Sequence, residues 1–162
     1  MKNVKNNGAL PGAMLGGALM VVAGMLTRAW AGAPYEGILR MGLGEVIPPV
    51  WLMTLLWLLW YFGLGATCGG VLTVHGGCSV TAWRGACFFL LMAGLGFLWY
   101  PLFFLRNALG LCILICLVLI ALCVLCAINW QNLSLVAAAF LYLHALWLLY
   151  LLILQVICIF YT

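Results

Sequence analysis

The side chains in this sequence that are best suited to chemistry are aromatic rings that carry one polar atom. The stretch 48–65 places Trp51, Trp57, Trp60 and Tyr61 within an otherwise apolar run that begins with two prolines. An indole N–H or a phenol O–H buried among apolar groups needs a hydrogen-bond partner that lipid does not supply. Rings of this kind that share an internal cavity can stack on a flat ligand and orient its polar edge. The residue types therefore favour ligand binding.

Groups that could support catalysis or metal binding are few. Glu36 and Glu45 are the only acids, and both fall in the loop after the first apolar run, where we interpret them as solvated. His75 and His144 could ligate a haem iron, but the first falls in a predicted loop and the second in a helix, and we interpret both as structural. The formal charge of +4 is too scattered for a nucleic-acid surface. We therefore assign no catalytic residue, no metal site, no required cofactor and no nucleic-acid partner.

The eight cysteines allow two further hypotheses. Four of them fall on a stripe about 80° wide on one predicted helix: Cys112, Cys116, Cys123 and Cys126. This spacing could hold a metal or a cluster, but cysteine is a small packing residue and the helix carries no charge that would tune such a site. We therefore interpret the stripe as packing. Cys68 and Cys78 flank a glycine-containing loop, and a disulfide between them requires that this loop face an oxidising compartment.

Membrane-spanning helices must position these side chains. The chain has 162 residues, of which 69% are hydrophobic and 5% charged, and a mean hydropathy of +1.31, which no water-soluble domain of this size tolerates on its surface. A bilayer requires about 20 apolar residues per helix. Five runs meet this requirement, at about 9–28, 48–68, 84–105, 108–128 and 133–160. We therefore predict an all-α integral membrane fold, a five-transmembrane-helix bundle that forms a single domain over residues 1–162.

The first run also has features of a secretory signal peptide. Two lysines precede it, and the sequence AWAGA at 29–33 contains an A-x-A cleavage pattern. However, Arg28 directly precedes that pattern, and the Gly12/Gly16 pair suits close packing against another helix. We expect the first helix to remain in the membrane. Three positive charges fall on each side of the bundle, so the positive-inside rule leaves its orientation open.

Three of the predicted helices present an aromatic face when residues are placed about 100° apart. In the second helix Trp51, Trp57 and Tyr61 share an arc of about 120°, whereas Trp60 lies nearly opposite Trp51 and is assigned to lipid or to a neighbouring helix. Isolated rings are common at membrane interfaces, but Trp57, Tyr61 and Trp147 lie deep within their runs. The predicted ligand-binding residues are Trp51, Trp57, Tyr61, Met92, Gly96, Trp99, Phe103, His144, Trp147, Leu151 and Gln155.

The same residues resemble the TspO/translocator protein family, also called the tryptophan-rich sensory proteins. A PPxW motif at 48–51 is followed by Trp57, Tyr61 and Gly65 in the register of the family's second helix, and FLWYPLFF at 97–104 resembles its third helix. The resemblance spans nearly the whole chain. It implies a cavity for a flat hydrophobic ligand such as a porphyrin or haem, with sterols and benzodiazepine-like drugs as further candidates. It also implies a homodimer that packs through the third helix.

The chain departs from the family pattern at several polar positions. Met92 and Gly96 stand where the family's third helix has Gln and Asn, and His144 and Gln155 stand where its fifth helix has Tyr and Asn. Val46 replaces a Trp of the loop that covers the family's cavity. The resemblance therefore implies a cavity of the same kind with rearranged polar groups, and it does not imply the same ligand.

We therefore expect a membrane protein that binds a flat hydrophobic ligand between helices 2, 3 and 5, for sensing, sequestration or transport, with helix 1 and its following loop as a lid. Two alternatives stay open, namely degradation of a bound porphyrin and a structural or assembly role without a ligand. The expected partners are the lipid bilayer of the bacterial cytoplasmic membrane, the ligand and a second copy of the chain. The candidate dimer surfaces are the Gly12/Gly16 edge of helix 1, the Ala93/Gly94 edge of helix 3 and the cysteine stripe of helix 4.

Overall fold

The computed structural model describes residues 9–31, 49–77, 79–106 and 108–161, and five helices contain most of them. They are α1 (Ala9–Ala31), α2 (Val50–His75), α3 (Val80–Phe104), α4 (Leu109–Trp130) and α5 (Leu135–Tyr161). Each contains a stretch that is long and apolar enough to cross a membrane. The chain is therefore an integral, multi-pass membrane protein, and the predicted five-helix fold is confirmed.

Two helix boundaries differ from the predicted ones by more than three residues. α2 continues to His75 instead of ending near residue 68, because Gly69 packs against α1 and does not break the helix. α3 begins at Val80 instead of near residue 84, because the Ser79 hydroxyl accepts a hydrogen bond from the Ala82 backbone N–H at 3.2 Å and caps the helix. His75 thus ends a helix and does not lie in a loop.

Glycines allow α1 and α2 to pack backbone against backbone. A methyl group on Gly16 would collide with the Gly65 carbonyl oxygen, and a methyl group on Gly65 would collide with the Gly16 carbonyl oxygen. Gly12 and Gly69 approach each other in the same way one turn further along each helix. Hydrophobic burial does not drive helices together in lipid, so contact at such small residues stabilises the pair. The predicted packing role of the Gly12/Gly16 pair is confirmed.

Cysteines on α4 connect this helix to α3 and α5. The Cys116 and Cys123 thiols donate to backbone carbonyls of α5 at sulfur–oxygen distances of 3.2 and 3.0 Å, and Cys126 donates to the Gly85 carbonyl of α3 at 3.3 Å. Trp130 packs on Gly85 and donates its indole N–H to a backbone carbonyl of α3 at 3.2 Å. All four cysteines of the stripe are buried. Their predicted packing role is confirmed.

Two of the three candidate dimer surfaces are covered within the chain, and the prediction was wrong for both. The Gly12/Gly16 edge lies against α2, and the cysteine stripe lies against α3 and α5. Gly94 on α3 is exposed, and no described atom lies within 4 Å of the position that a methyl group would take there. The fold therefore leaves Gly94 accessible to a second copy, whereas its neighbour Ala93 is partly buried.

The five helices form two units, one of α1 and α2 and the other of α3, α4 and α5. α1 and α2 contact each other more extensively than either contacts α3 or α5, and α4 contacts both α3 and α5 extensively. Aromatic rings of α2, α3 and α5 meet between the two units. We call this boundary the seam.

Gly65→Ala is expected to lower the free energy of unfolding by about 1–3 kcal/mol, because the added methyl group overpacks the contact with the Gly16 backbone. Gly94→Ala is the matched control and should leave stability nearly unchanged, since no described atom lies close to that position. Unfolding by SDS in mixed micelles, followed by helical circular dichroism, measures both. Equal stability of the two variants would show that α1 and α2 do not pack through glycine.

Candidate ligand cavity

Rings from α2 and α5 form one side of the seam. The Trp60 indole N–H donates to Nδ1 of His144, and the Trp60 ring centroid lies 5.5 Å from that of Phe140 and 5.6 Å from that of Trp147. Because Nδ1 accepts this bond, the neutral imidazole carries its proton on Nε2. His144 is 8% exposed, so the bond pairs two polar groups that lipid would leave unsatisfied.

A second group of rings joins α2 to α3. The Trp57 ring lies 5.6 Å from the Tyr61 ring and 6.3 Å from the Tyr100 ring, which it meets edge-on at 89°. The Tyr61 ring lies 5.8 Å from the Phe97 ring. Aromatic pairs attract at these separations. The two groups of rings together surround a space between α2, α3 and α5.

A cavity of about 60 Å³ occupies this space. The predicted site residues that line it are Trp57, Tyr61, Met92, Gly96, Trp99, His144, Trp147 and Leu151. An apolar, aromatic wall with a few polar groups is typical of small-molecule sites. Pockets for drug-sized ligands measure roughly 300–1,000 Å³, so such a ligand requires the cavity to widen.

Three predicted site residues lie outside the cavity, all toward the end of the bundle where α1 ends. Trp51 is 68% exposed, whereas Phe103 and Gln155 are buried. Phe103 stacks on Trp99 with 4.9 Å between ring centroids and 16° between ring planes. The Gln155 side-chain oxygen accepts a hydrogen bond from the Trp99 indole N–H at 3.4 Å. Phe103 and Gln155 therefore hold Trp99 in position and do not face the cavity.

Trp60 is the principal cavity residue that the sequence pattern did not reveal. It contacts a neighbouring helix, as expected, but it also lines the cavity beside Trp57. Trp57 lies only about 60° from Trp60 around the helix, so the face that α2 turns to the cavity is centred near these two residues and away from Trp51. The other lining residues that the sequence reasoning did not name are Met20, Leu64, Ala93, Phe97, Cys116, Leu119 and Leu148.

A signal in the sequence could have located this face. Gly65 and Gly69 have the same four-residue spacing as Gly12 and Gly16, and small residues at that spacing indicate close contact with another helix. They mark the face of α2 that α1 covers. Trp51 lies at the same angle as Gly69 around an ideal helix, which places it on the α1 face and not on the cavity face.

Some predicted features lie outside the described residues. The loop at 32–48, expected to act as part of a lid, is among them, together with its acids Glu36 and Glu45 and with Val46. Cys78 is also outside the described ranges. Cys68 is a free thiol, and the disulfide considered between it and Cys78 stays a prediction, because one of its two residues is outside the described ranges.

Comparison with known families supports the motif resemblance described above. The sequence model of the TspO/MBR family matches residues 14–160 of the chain, a span that includes every residue lining the cavity. Comparisons with curated proteins and with solved structures give no match.

A double-mutant cycle on Trp60 and His144 tests the hydrogen bond between α2 and α5. Trp60→Phe keeps a ring but removes the N–H donor, and His144→Phe removes the acceptor. We expect a coupling energy of about 0.5–2 kcal/mol, the range found for hydrogen bonds between membrane helices. SDS unfolding of the parent, both single variants and the double variant measures it. Strictly additive effects would mean that the two side chains are not bonded.

Proposed function

The chain belongs to the TspO/MBR family, and we propose that it binds a flat hydrophobic ligand of the porphyrin or tetrapyrrole class between α2, α3 and α5. One observation carries the proposal: four tryptophans from three helices converge on a single internal space, namely Trp57, Trp60, Trp99 and Trp147. Such rings attract a flat ligand by stacking or by edge-to-face contact. Sterols and benzodiazepine-like molecules share this flat, apolar character and complete the proposed ligand class.

Ligand entry requires the seam to open. The cavity holds about 60 Å³, far less than a drug-sized ligand needs. Because α1 and α2 contact each other more extensively than either contacts α3 or α5, a shift of the α1–α2 unit disrupts less packing than a movement within a unit. Rings on the two sides of the seam would then contact the ligand instead of each other.

His144 is the polar group on α5 that can orient a bound ligand. Its Nδ1 accepts from Trp60, so Nε2 carries a proton and is a donor. The residue lines the cavity and is almost completely buried. A carbonyl oxygen at the ligand's edge could accept a hydrogen bond from this N–H.

Sensing, sequestration and facilitated transport all require such a binding step, and the proposed location is the bacterial cytoplasmic membrane. Transport coupled to an ion gradient normally uses charge pairs within the membrane. The charged residues in the described part of the chain are Arg28, Arg84 and Arg106, without an acid among them. This composition favours a binding protein or a facilitator over an ion-coupled transporter.

Titration of the purified protein in lipid nanodiscs with protoporphyrin IX tests the proposal. In Trp57→Leu, Trp60→Leu and Trp147→Leu we expect the dissociation constant to rise about tenfold or more, because a stacked aromatic side chain contributes on the order of 1–3 kcal/mol. Trp51→Leu is the matched control, since Trp51 is 68% exposed, and it should change the constant by less than about twofold.

Binding is followed by the porphyrin's own absorbance band, which does not depend on the tryptophans being replaced. Absence of saturable binding to the unaltered protein would favour a structural role for the chain. Losses of equal size at Trp51 and at the three cavity tryptophans would place the ligand elsewhere.

A second test fills the cavity without removing a ring. Gly96 lines the cavity, and no described atom lies within 4 Å of the position that a Cβ atom would take. Gly96→Leu should therefore fold normally and weaken porphyrin binding about tenfold or more, because the new side chain occupies the space the ligand needs. Gly94→Leu adds the same side chain on an exposed face of the same helix and should bind porphyrin as the unaltered protein does. Unchanged binding by Gly96→Leu would exclude this cavity as the site.

We also propose a homodimer that packs through α3. Gly94 is exposed, and a small residue permits close approach of a second helix in lipid. Gly94 lies about 140° from Trp99 around the helix, so a partner and a ligand can be bound together. Gly94→Leu should lower the dimer content measured by cross-linking in nanodiscs. A dimer indifferent to this substitution would exclude α3 from the interface.

A further inference from the structure

A small pocket adjoins the cavity toward the end of the bundle where α1 ends. It measures about 20 Å³ and is formed by α1, α2 and α3. Trp57 and Tyr61 line both this pocket and the cavity, so the two spaces share these rings as a common wall. The wall of the small pocket also includes a cation, Arg28. We call it the Arg28 pocket.

Arg28 is held in a defined position. It donates from Nη1 to the Thr54 hydroxyl oxygen at 2.9 Å, which fixes the guanidinium against α2. A guanidinium carries five N–H donors in a planar fork, and a carboxylate accepts two of them side by side. Glu36 and Glu45, the only acids of the chain, both fall in the undescribed range 32–48. The described residues thus offer Arg28 no counter-charge.

A second polar group of the Arg28 pocket lacks a partner among the described residues. Tyr100 is 5% exposed, and its hydroxyl oxygen is buried and forms no hydrogen bond there. Buried polar side-chain atoms in native proteins nearly always have a partner. Tyr100 and Arg28 both line this pocket. A cation and an unpaired donor therefore lie together, and one anionic acceptor could satisfy both.

We propose that the Arg28 pocket is the subsite that binds a carboxylate of the ligand whose flat body occupies the cavity, with the Arg28 guanidinium and the Tyr100 hydroxyl as its hydrogen-bond donors. This proposal rests on the proposed ligand-binding function. Because Trp57 and Tyr61 border both spaces, a ring held in the cavity can extend a short acid chain past them to Arg28. Arg28 lies in the last turn of α1, near the membrane boundary, where a charge is less costly than at the bilayer centre.

Two matched ligands test the carboxylate site. Mesoporphyrin carries acid side chains, and its dimethyl ester has the same ring with those acids neutralised. With the full chain in nanodiscs of phosphatidylcholine, the acid should bind about tenfold or more tightly than the ester, as expected for hydrogen bonds to a charged group. Protein-free nanodiscs correct both titrations for partition into lipid.

Substitutions in the Arg28 pocket should remove this preference selectively. Arg28→Gln should lower the affinity for the acid to that for the ester and leave the affinity for the ester unchanged. Tyr100→Phe should weaken binding of the acid several-fold and leave binding of the ester unchanged. The variant should fold normally, because the hydroxyl has no described partner to lose. Arg106→Gln removes the same charge at an exposed position and should preserve the preference for the acid.

Each contrary result has a distinct meaning. Equal weakening of acid and ester by Arg28→Gln would make Arg28 a structural residue that acts through Thr54, and would overturn the proposal. A preference for the acid that survives both Arg28→Gln and Tyr100→Phe would also overturn it, as would be observed if a carboxylate of the chain itself filled the pocket. Equal binding of acid and ester to the unaltered protein refutes the carboxylate site alone. If neither porphyrin binds, the proposed function itself fails.

Discussion

The close contact between α1 and α2 at Gly16 and Gly65 is the constraint on which the rest of the structure depends. In lipid, helices associate through close packing and hydrogen bonds and not through hydrophobic burial. Glycine contacts that extend over one helical turn therefore fix the rotation of α2 about its own axis. With its glycine face against α1, α2 turns Trp57 and Trp60 toward α3 and α5. The same contact brings Arg28 against α2. Both the cavity and the Arg28 pocket therefore result from how these two helices pair.

Hydrogen bonds between helices satisfy most of the buried polar side chains. Trp60 donates to His144 between α2 and α5, and Trp99 donates to Gln155 between α3 and α5. Because lipid offers no alternative partner, each such bond favours one arrangement of the helices. The Tyr100 hydroxyl is the exception among the described residues. This hydroxyl lies in the same pocket as the Arg28 guanidinium, beside the cavity. A polar group of a ligand would complete its hydrogen bonding there.

The chain retains the rings of the TspO/MBR family and changes the polar residues around them. On α3, Met92 and Gly96 leave the cavity wall apolar where the family has amide side chains. On α5, His144 replaces a tyrosine and is bonded to Trp60. The side chains with a polar group at the cavity and its adjoining pocket therefore include His144 of α5 and Tyr61 of α2, together with Arg28 of α1 and Tyr100 of α3.

Length and hydropathy by themselves determined five membrane-spanning helices, because a bilayer excludes any backbone that does not bond internally. The helical repeat also determined which residues share a face, and it assigned Trp57 and Trp147, which line the same cavity, to inward faces of their helices. It did not determine which face each helix turns to its neighbours: because α1 packs on the glycines of α2, Trp51 lies away from the cavity and is exposed. Nor did it determine depth, since Phe103 and Gln155 follow the faces of cavity residues but lie beyond the cavity's end. The angular position of a residue around a helix depends on that helix alone. Whether the residue is covered, and how deep in the bundle it lies, depends on the other helices.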